Sequence, residues 1–219
     1  MKNIIFISPP AAGKGTQSKL LSSEYNIPNI SAGDLLRDEV ASGSELGREL
    51  KAIMDAGKLV GLEDILKLLE NRLSKDDCQN GYILDGYPRD MAQAKAYEEL
   101  LEKLNMEMGH VFFLDIDKEL AVKRTLSRVT CPKCGSSYNL VVEDAKPKKE
   151  GICDRCGAEL KQRSDDNEET ILKRFDTYME NTKDLIDYYK NLGVLTTIKV
   201  EEEKSVEDIF NEIKEVIND

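Results

Sequence analysis

The chain has 219 residues, 40% of them hydrophobic and only 6% aromatic, with no Trp and a formal net charge of -11. That suffices for one good core with small inserted subdomains. So acidic a surface does not suit duplex DNA, and so few aromatics give no platform for stacked single strands. No run of about 18 apolar residues is present to cross a membrane.

Met1-Lys2-Asn3 and the apolar Ile4 to Ile7 are too short and too β-like for a signal peptide, so the cytoplasm is the expected compartment. Ile4 to Ile7 reads as a buried parallel strand running into a loop at Ser8-Pro9-Pro10. Thr16 to Tyr25 is helical in pattern, and Ile27 to Ile30 suits a short strand. Ser31 has N-cap chemistry for a helix from Gly33. Short helices follow near Asp34–Ala41 and Glu45–Ala56, with Gly57 as a stop. Ile65, Leu68, Leu69 and Leu73 fall at helical spacing. Gly81 to Asp85 is a strand that ends in an acid, and Met91 to Leu104 is helical. Val111 to Ile116 is a strand, with His110, the only histidine, just before it in a structural or solvated role. Lys118 to Arg128 reads as helix, Glu168 to Leu192 as a long helix and Val194 to Val200 as a last strand. Ser205 opens a final helix, with Asp208 three residues on as a capping-box partner. Alternating strands and helices predict an α/β fold with a parallel sheet.

The segment from Cys131 to Cys156 breaks that alternation. It is rich in Lys and turn residues, poor in large apolar groups, and cannot build a core of its own. It holds Cys131-Pro132-Lys133-Cys134 and Cys153-Asp154-Arg155-Cys156, two knuckles about 18 residues apart. Two Cys-x-x-Cys pairs at such spacing point to one tetrahedral zinc held by four thiolates. Four protein ligands leave no open position, so the metal is structural. Iron in place of zinc, or a disulfide within each pair, are the alternatives. Cys78 is read as a small semi-buried residue.

Pro9-Pro10-Ala11-Ala12-Gly13-Lys14-Gly15-Thr16 lies between the first strand and the first helix. A phosphate-cradling loop belongs there, because backbone N–H groups and the helix N-terminus point at the anion and a Lys reaches its outer phosphates. The strict pattern G-x-x-x-x-G-K-[ST] is broken: Ser8 takes the first Gly position and Gly15 separates Lys14 from Thr16. Further blocks follow at Ser31-Ala32-Gly33-Asp34-Leu35-Leu36-Arg37, Gly57-Lys58-Leu59-Val60, Asp85-Gly86-Tyr87-Pro88-Arg89 and Arg163-Ser164-Asp165-Asp166-Asn167-Glu168-Glu169-Thr170, closing at Lys173-Arg174. In this order and spacing the chain resembles the adenylate kinases over essentially its whole length, and most of all the bacterial type with a long zinc lid.

The resemblance implies a doubly wound five-stranded parallel sheet of the P-loop nucleoside monophosphate kinase class. The core would comprise residues 1–30, 61–126 and 165–219, with a monophosphate-binding insertion at 31–60 and a zinc lid at 127–164. It implies the magnesium-dependent reaction ATP + AMP ⇌ 2 ADP in a monomer, with no nucleic acid or membrane partner. By likeness, Lys14, Arg89, Arg128, Arg163 and Arg174 are catalytic. Ala11, Ala12, Gly13, Lys14, Gly15, Thr16, Arg124, Arg128, Ser137, Tyr138 and Glu202 would line the ATP site, with Arg124 against adenine. Ala32, Arg37, Lys58, Leu59, Val60, Gly86, Tyr87, Pro88, Arg89 and Gln93 would line the AMP site, with Arg163 and Arg174 clamping the phosphates between the two sites. Asp85 and Asp34 would hold magnesium through water. The chemistry agrees: transfer between two polyanions needs fixed cations and exclusion of water, and Arg forks bind two phosphate oxygens at once.

The chain departs from the family pattern at several positions. Ala32 stands where adenylate kinases usually carry Thr and UMP/CMP kinases Ala. Ser8 and Ala11 replace loop glycines, and Ala at a position needing φ > 0 is strained by roughly 1 kcal/mol. Leu62 replaces a usual Asp, Asn139 a usual His, and Glu201-Glu202-Glu203 a usual Asp-Gly-Thr at the ATP adenine. A UMP/CMP kinase and a nucleotide-binding protein without turnover are therefore the competing readings.

Overall fold

The computed structural model describes residues 2–55, 60–162 and 166–218, and the side chains of Lys2, Met54, Asp55 and Arg174 lie outside that description. The elements run β1 (Lys2–Ile7), α1 (Lys14–Tyr25), β2 (Asn29–Ser31), α2 (Ala32–Ser42), α3 (Glu45–Asp55), α4 (Leu62–Leu73), β3 (Gly81–Asp85), α5 (Met91–Lys103), β4 (His110–Ile116) and α6 (Lys118–Leu126). They continue with β5 (Arg128–Thr130), β6 (Ser137–Asn139), α7 (Glu168–Asn191), β7 (Leu195–Val200) and α8 (Val206–Asn218). The long strands form one five-stranded parallel sheet in the order β2-β3-β1-β4-β7, as the strand–helix alternation requires. The order reverses at β1, the kind of switch point where open α/β sheets hold ligands. Among the described residues no helix is long and apolar enough to cross a membrane.

By internal contact the chain forms two compact units. The first comprises Met1–Ile7, Leu21–Phe112 and Asp184–Thr196. In it Ile4 pairs with Ile83, and Ile5 and Ile30 both pair with Leu84. All five are buried, because helices cover both faces of a parallel sheet and its strands must then be apolar throughout. Leu69 and Leu73 of α4 and Tyr97 of α5 are fully buried. Ser31 caps α2 as its chemistry predicts, accepting a hydrogen bond from the Asp34 N–H at 3.3 Å.

This unit buries several phenols. The Tyr82 and Tyr97 hydroxyls hydrogen-bond to each other, and the Tyr87 ring meets Tyr97 edge-on with centroids 6.1 Å apart. Burial pushes the Tyr82 pKa up to about 12 and raises those of Tyr87, Tyr97 and Tyr189 as well. An unfolded tyrosine titrates near 10, so above that pH the unfolded chain holds fewer protons than the folded one. The stability from these buried phenols is therefore complete below pH 10 and is lost as pH rises toward 12. In an alkaline titration, the tyrosinate absorbance of these residues is expected to appear only together with loss of helical circular dichroism. Ionisation of all eight Tyr near pH 10, with the helical signal intact, would contradict it.

The second unit comprises Ser8–Leu20, Phe113–Lys183 and Thr197–Asp219. Gln17 Nε2 donates to the Val206 carbonyl at 2.9 Å and so ties α1 to α8. The predicted capping box forms: the Asp208 N–H donates to Ser205 Oγ at 3.0 Å, and the Ser205 N–H donates to Asp208 Oδ2 at 2.9 Å. Helix α8 buries Ile209, Ile213 and Ile217, one residue per turn.

One sequence expectation changes here. The helix read as Lys118 to Arg128 ends at Leu126, and Arg128–Thr130 is instead a strand of an antiparallel hairpin with Ser137–Asn139. β-branched Val129 and Thr130 favour a strand over a helix end. The Leu140 N–H donates to the Ser127 carbonyl at 3.0 Å, which closes the hairpin against the helix terminus.

Candidate active site and metal centre

The residues expected at the ATP site lie in the second unit. After Ile7 the chain turns through Ser8–Gly13 and enters α1 at Lys14. The turn needs two left-handed residues: Ala11 at φ 62° and Gly13 at φ 97°. Nothing lies within 4 Å of a Cβ placed on Gly13, so backbone conformation alone demands glycine there. Ala11 adopts the same region at a cost, as its departure from glycine predicts. The Thr16 and Gln17 N–H groups donate to the Gly13 carbonyl at 2.9 and 3.1 Å, so the helix starts tightly. Its N-terminus gives an anion a dipole and N–H donors. Replacing Ala11 with Gly is expected to raise Tm by about 1–3 °C, since relief of roughly 1 kcal/mol of strain outweighs the added chain entropy. A Tm that falls by differential scanning calorimetry would count against a strained Ala11.

Arg128 stands at the root of the lid hairpin. Its Nε donates to Asp166 Oδ2 at 2.9 Å, and its Nη2 to the other carboxylate oxygen. The Asp166 side chain is fully buried, so this forked pair fixes the guanidinium rather than decorating the surface. Arg124 is 7% exposed, and its Nη2 reaches the Glu201 carbonyl at 3.3 Å. Burial lowers its pKa, partly offset by Glu202. The Glu202 carboxylate itself pairs with Lys123, which lowers the Glu202 pKa. The Arg124 carbonyl accepts from Asn139 Nδ2 at 2.7 Å, and Asn139 Oδ1 accepts from the Val141 N–H at 3.1 Å. Asn139 thus ties the lid to the end of α6.

Of the residues expected at the AMP site, Ala32, Arg37, Gly86 to Arg89 and Gln93 lie in the first unit. Ala32 is buried at the start of α2, and Arg37, one turn on, pairs with Asp34. Asp34, a candidate for magnesium, is thereby engaged with a candidate phosphate ligand. Asp85 ends β3 half-buried, opposite Ser31 and Phe6. The turn after it is held by its own groups. Arg89 Nε donates to the Gly86 carbonyl at 2.9 Å, and the Arg89 N–H donates to Gln93 Oε1 at 2.9 Å. Tyr87 donates to the Gln93 carbonyl at 3.1 Å, Asp90 caps α5, and the Tyr87–Pro88 peptide is cis. Gln93 Oε1 is therefore engaged by the backbone, and Nε2 is the donor end of its amide.

The four lid cysteines meet. Their sulfurs all lie within 4.8 Å of one another, with Cys131–Cys156 at 3.4 Å and Cys134–Cys153 at 3.5 Å. A disulfide needs about 2.05 Å, and all four are free. Tetrahedral zinc with Zn–S near 2.3 Å places sulfurs about 3.8 Å apart, so the set fits that ion. The knuckles are copies of one turn. The Cys131 and Cys153 carbonyls accept from the N–H groups of Gly135 and Gly157 at 3.0 and 2.8 Å, with both glycines left-handed. The Cys131 and Cys153 N–H groups donate to the Ser136 and Ala158 carbonyls, both at 2.8 Å. A hydrogen bond with the Tyr138 hydroxyl pulls the Cys153 thiol down to about 6, and one with Ser136 lowers that of Cys134. Among the described residues, Leu160 is the buried apolar side chain clustered with Cys131 and Cys153, with Val129, Tyr138 and Ala158 packed alongside.

An adenylate kinase family model matches residues 6–194. A curated adenylate kinase of Archaeoglobus fulgidus is 46% identical over 215 residues, covering 98% of this chain and 97% of the relative. Adenylate kinases of Thermodesulfovibrio yellowstonii and Clostridium tetani are 46% and 42% identical, each over at least 96% of both chains. The chain belongs to the adenylate kinase family. In this adenylate kinase family member, Lys58, Leu59 and Arg163 fall outside the described residues, as does the side chain of Arg174. Val60 is described and half-buried, and Ser137 and Thr16 are exposed. Sequence reasoning missed three side chains: Asp166 as the partner of Arg128, Asn139 as the tie to α6, and the contact of Tyr138 with the cysteines. Asp166 sits inside one of the family blocks, but nothing in the sequence marks its carboxylate as buried.

Proposed function

We propose that this adenylate kinase family member transfers the γ-phosphoryl group of ATP to AMP, giving two ADP. The reading is carried by a loop, shaped by left-handed Ala11 and Gly13, that offers a helix N-terminus and Lys14 to an anion, in a chain akin to adenylate kinases over nearly its whole length. Lys14 and Arg128 steady the ATP phosphates, with Ala12, Gly15, Thr16 and Ser137 beside them. Arg124 and the backbone near Glu202 meet the adenine. Arg37 and Arg89 hold the AMP phosphate, with Lys58, Leu59, Val60, Gly86, Tyr87 and Pro88 lining that site. Arg163 and Arg174 carry the charge that spreads over the moving group. No general base is required, because an AMP phosphate oxygen is already ionised. Magnesium bound with ATP would neutralise phosphate charge, and the carboxylates that would hold its water shell are half-buried Asp85 and Asp34, the latter paired with Arg37.

Residues 31–60 and 127–164 act as the segments that cover the nucleotides, and the four cysteines hold zinc as a structural ion. The protein works as a cytoplasmic monomer. For the acceptor base, Gln93 is the telling group. With Oε1 accepting from the Arg89 N–H, its Nε2 donates. Adenine N1 accepts such a bond, whereas the N3–H of uracil repels it. Cytosine N3 also accepts, and Ala32 withholds the usual hydroxyl, so CMP is the sharper competitor. A coupled assay with ATP and AMP, UMP or CMP is expected to rank AMP first and UMP last. UMP turning over faster than AMP would reject the assignment, and no turnover of any monophosphate with ATP still bound would favour a binding protein.

A further inference from the structure

We propose that Tyr138 is a positioning residue for the cysteine centre, coupling the first knuckle's hairpin to the second knuckle. The proposal rests on the zinc reading of the four cysteines. Tyr138 lies on β6, paired with Val129 of β5, in the hairpin that carries the first knuckle. Its hydroxyl crosses to the second knuckle. It stands 3.5 Å from Cys153 Sγ and accepts from the Asp154 N–H at 2.9 Å. One phenol has one proton to give and two lone pairs to fill. With Cys153 as a thiolate, the proton goes to sulfur and the Asp154 N–H fills a lone pair, so both contacts are satisfied at once. The ring packs on the small cluster of Cys131, Cys153 and Leu160.

The two knuckles differ at the relevant place. Residue 132 of the first is Pro, which has no N–H, while the corresponding residue of the second is Asp154. The same turn thus forms without that N–H, and in the second knuckle the N–H is directed to Tyr138. Four thiolates around a divalent ion carry two excess negative charges, and a hydroxyl donor offsets part of that charge. Groups that orient metal ligands in this way typically change metal affinity by about 10–100-fold when removed.

The test uses the full zinc-loaded chain and follows zinc transfer to an excess of a chromogenic chelator. Wild type is expected to hold about one zinc per chain. Tyr138→Phe is expected to release it about tenfold faster, with the thiolate-to-metal charge-transfer band of the cobalt-substituted protein shifted. Asp154→Pro, a residue the first knuckle already accommodates, removes the amide side of the contact together with the carboxylate that accepts from the Lys148 N–H, so Asp154→Ala is its control, and relative to that control it is expected to speed release less than the Phe variant does. It also serves should the Phe variant not accumulate. The KM for ATP is read on the same variant, because the family resemblance also sets Tyr138 at the ATP site: a large rise with zinc release at the wild-type rate would assign Tyr138 to the nucleotide and overturn the proposal. A wild type that loads zinc, with variants that release it at the wild-type rate and an unshifted band, overturns the proposal alone. A wild type that takes up no zinc overturns the metal reading and the proposal together.

Discussion

Replacing Lys14 with Ala lowers kcat for ATP-dependent transfer to AMP by about 1,000-fold while zinc content stays at the wild-type level. Lys14 is the first residue of α1, directly after left-handed Gly13. Its neighbours are held through backbone: the Thr16 and Gln17 N–H groups donate to the Gly13 carbonyl, and the variant keeps these bonds. On the proposed mechanism, loss of the ammonium removes charge stabilisation where charge grows in the transition state and leaves the loop that would seat the nucleotide. Removing one such fixed donor costs about 100- to 1,000-fold in other enzymes, and a full charge on a polyphosphate belongs at the upper end. The four-cysteine centre depends on none of these contacts. Steady-state kinetics with metal analysis on the same sample reads both quantities. A loss of kcat below about tenfold would remove Lys14 from the catalytic set.

Cys131→Ser lowers Tm by about 10 °C or more, yet leaves activity at low temperature within about threefold of wild type. The lid offers little else to hold it: its buried cluster is Cys131, Cys153 and Leu160. Metal binding in such small sites supplies of order 10 kcal/mol of ordering free energy. If only a few kcal/mol of this couples to global unfolding, at about 2–4 °C per kcal/mol for a chain this size, a shift of that order follows. Well below the melting range the hairpin's own bonds still position Arg128, which Asp166 grips independently of the cysteines. Wild type stripped by a chelator is expected to melt like the variant. A Cys131→Ser protein that keeps the full Tm would show that the centre is not structural.

Much of the fold was legible because its signals are local. Apolar runs at Ile4 to Ile7 and Val111 to Ile116 cannot be other than buried strands in an alternating chain. Ser31 and Ser205 carry their caps in their own side chains. The knuckles were legible for the same reason: each is one tight turn whose Gly135 or Gly157 follows its second cysteine directly. The end of α6 was not legible. Arg128 fits a helical pattern as well as a strand, and only pairing with Asn139 across the hairpin decides it.

The phosphate loop divides the two kinds of information most clearly. Sequence alone set its place between a strand and a helix, named Lys14, and marked Ser8 and Ala11 as departures. It could not say whether position 11 needs a left-handed backbone, because φ is fixed by how the turn must connect β1 to α1. The structure sets Ala11 at φ 62°. Likewise the sequence supplied the arginines, the four thiols and Tyr138. Tertiary structure decided that Asp166 grips Arg128, that Gln93 turns its oxygen inward, and that Tyr138 reaches Cys153. The Asp166–Arg128 and Tyr138–Cys153 contacts join groups whose separation in the chain says nothing of their distance in space, whereas Gln93 is four residues from Arg89 and there the turn decides which way the amide faces. A buried donor or acceptor takes the nearest partner that folding supplies, so composition and spacing determine the chemistry available and packing determines which pairs form.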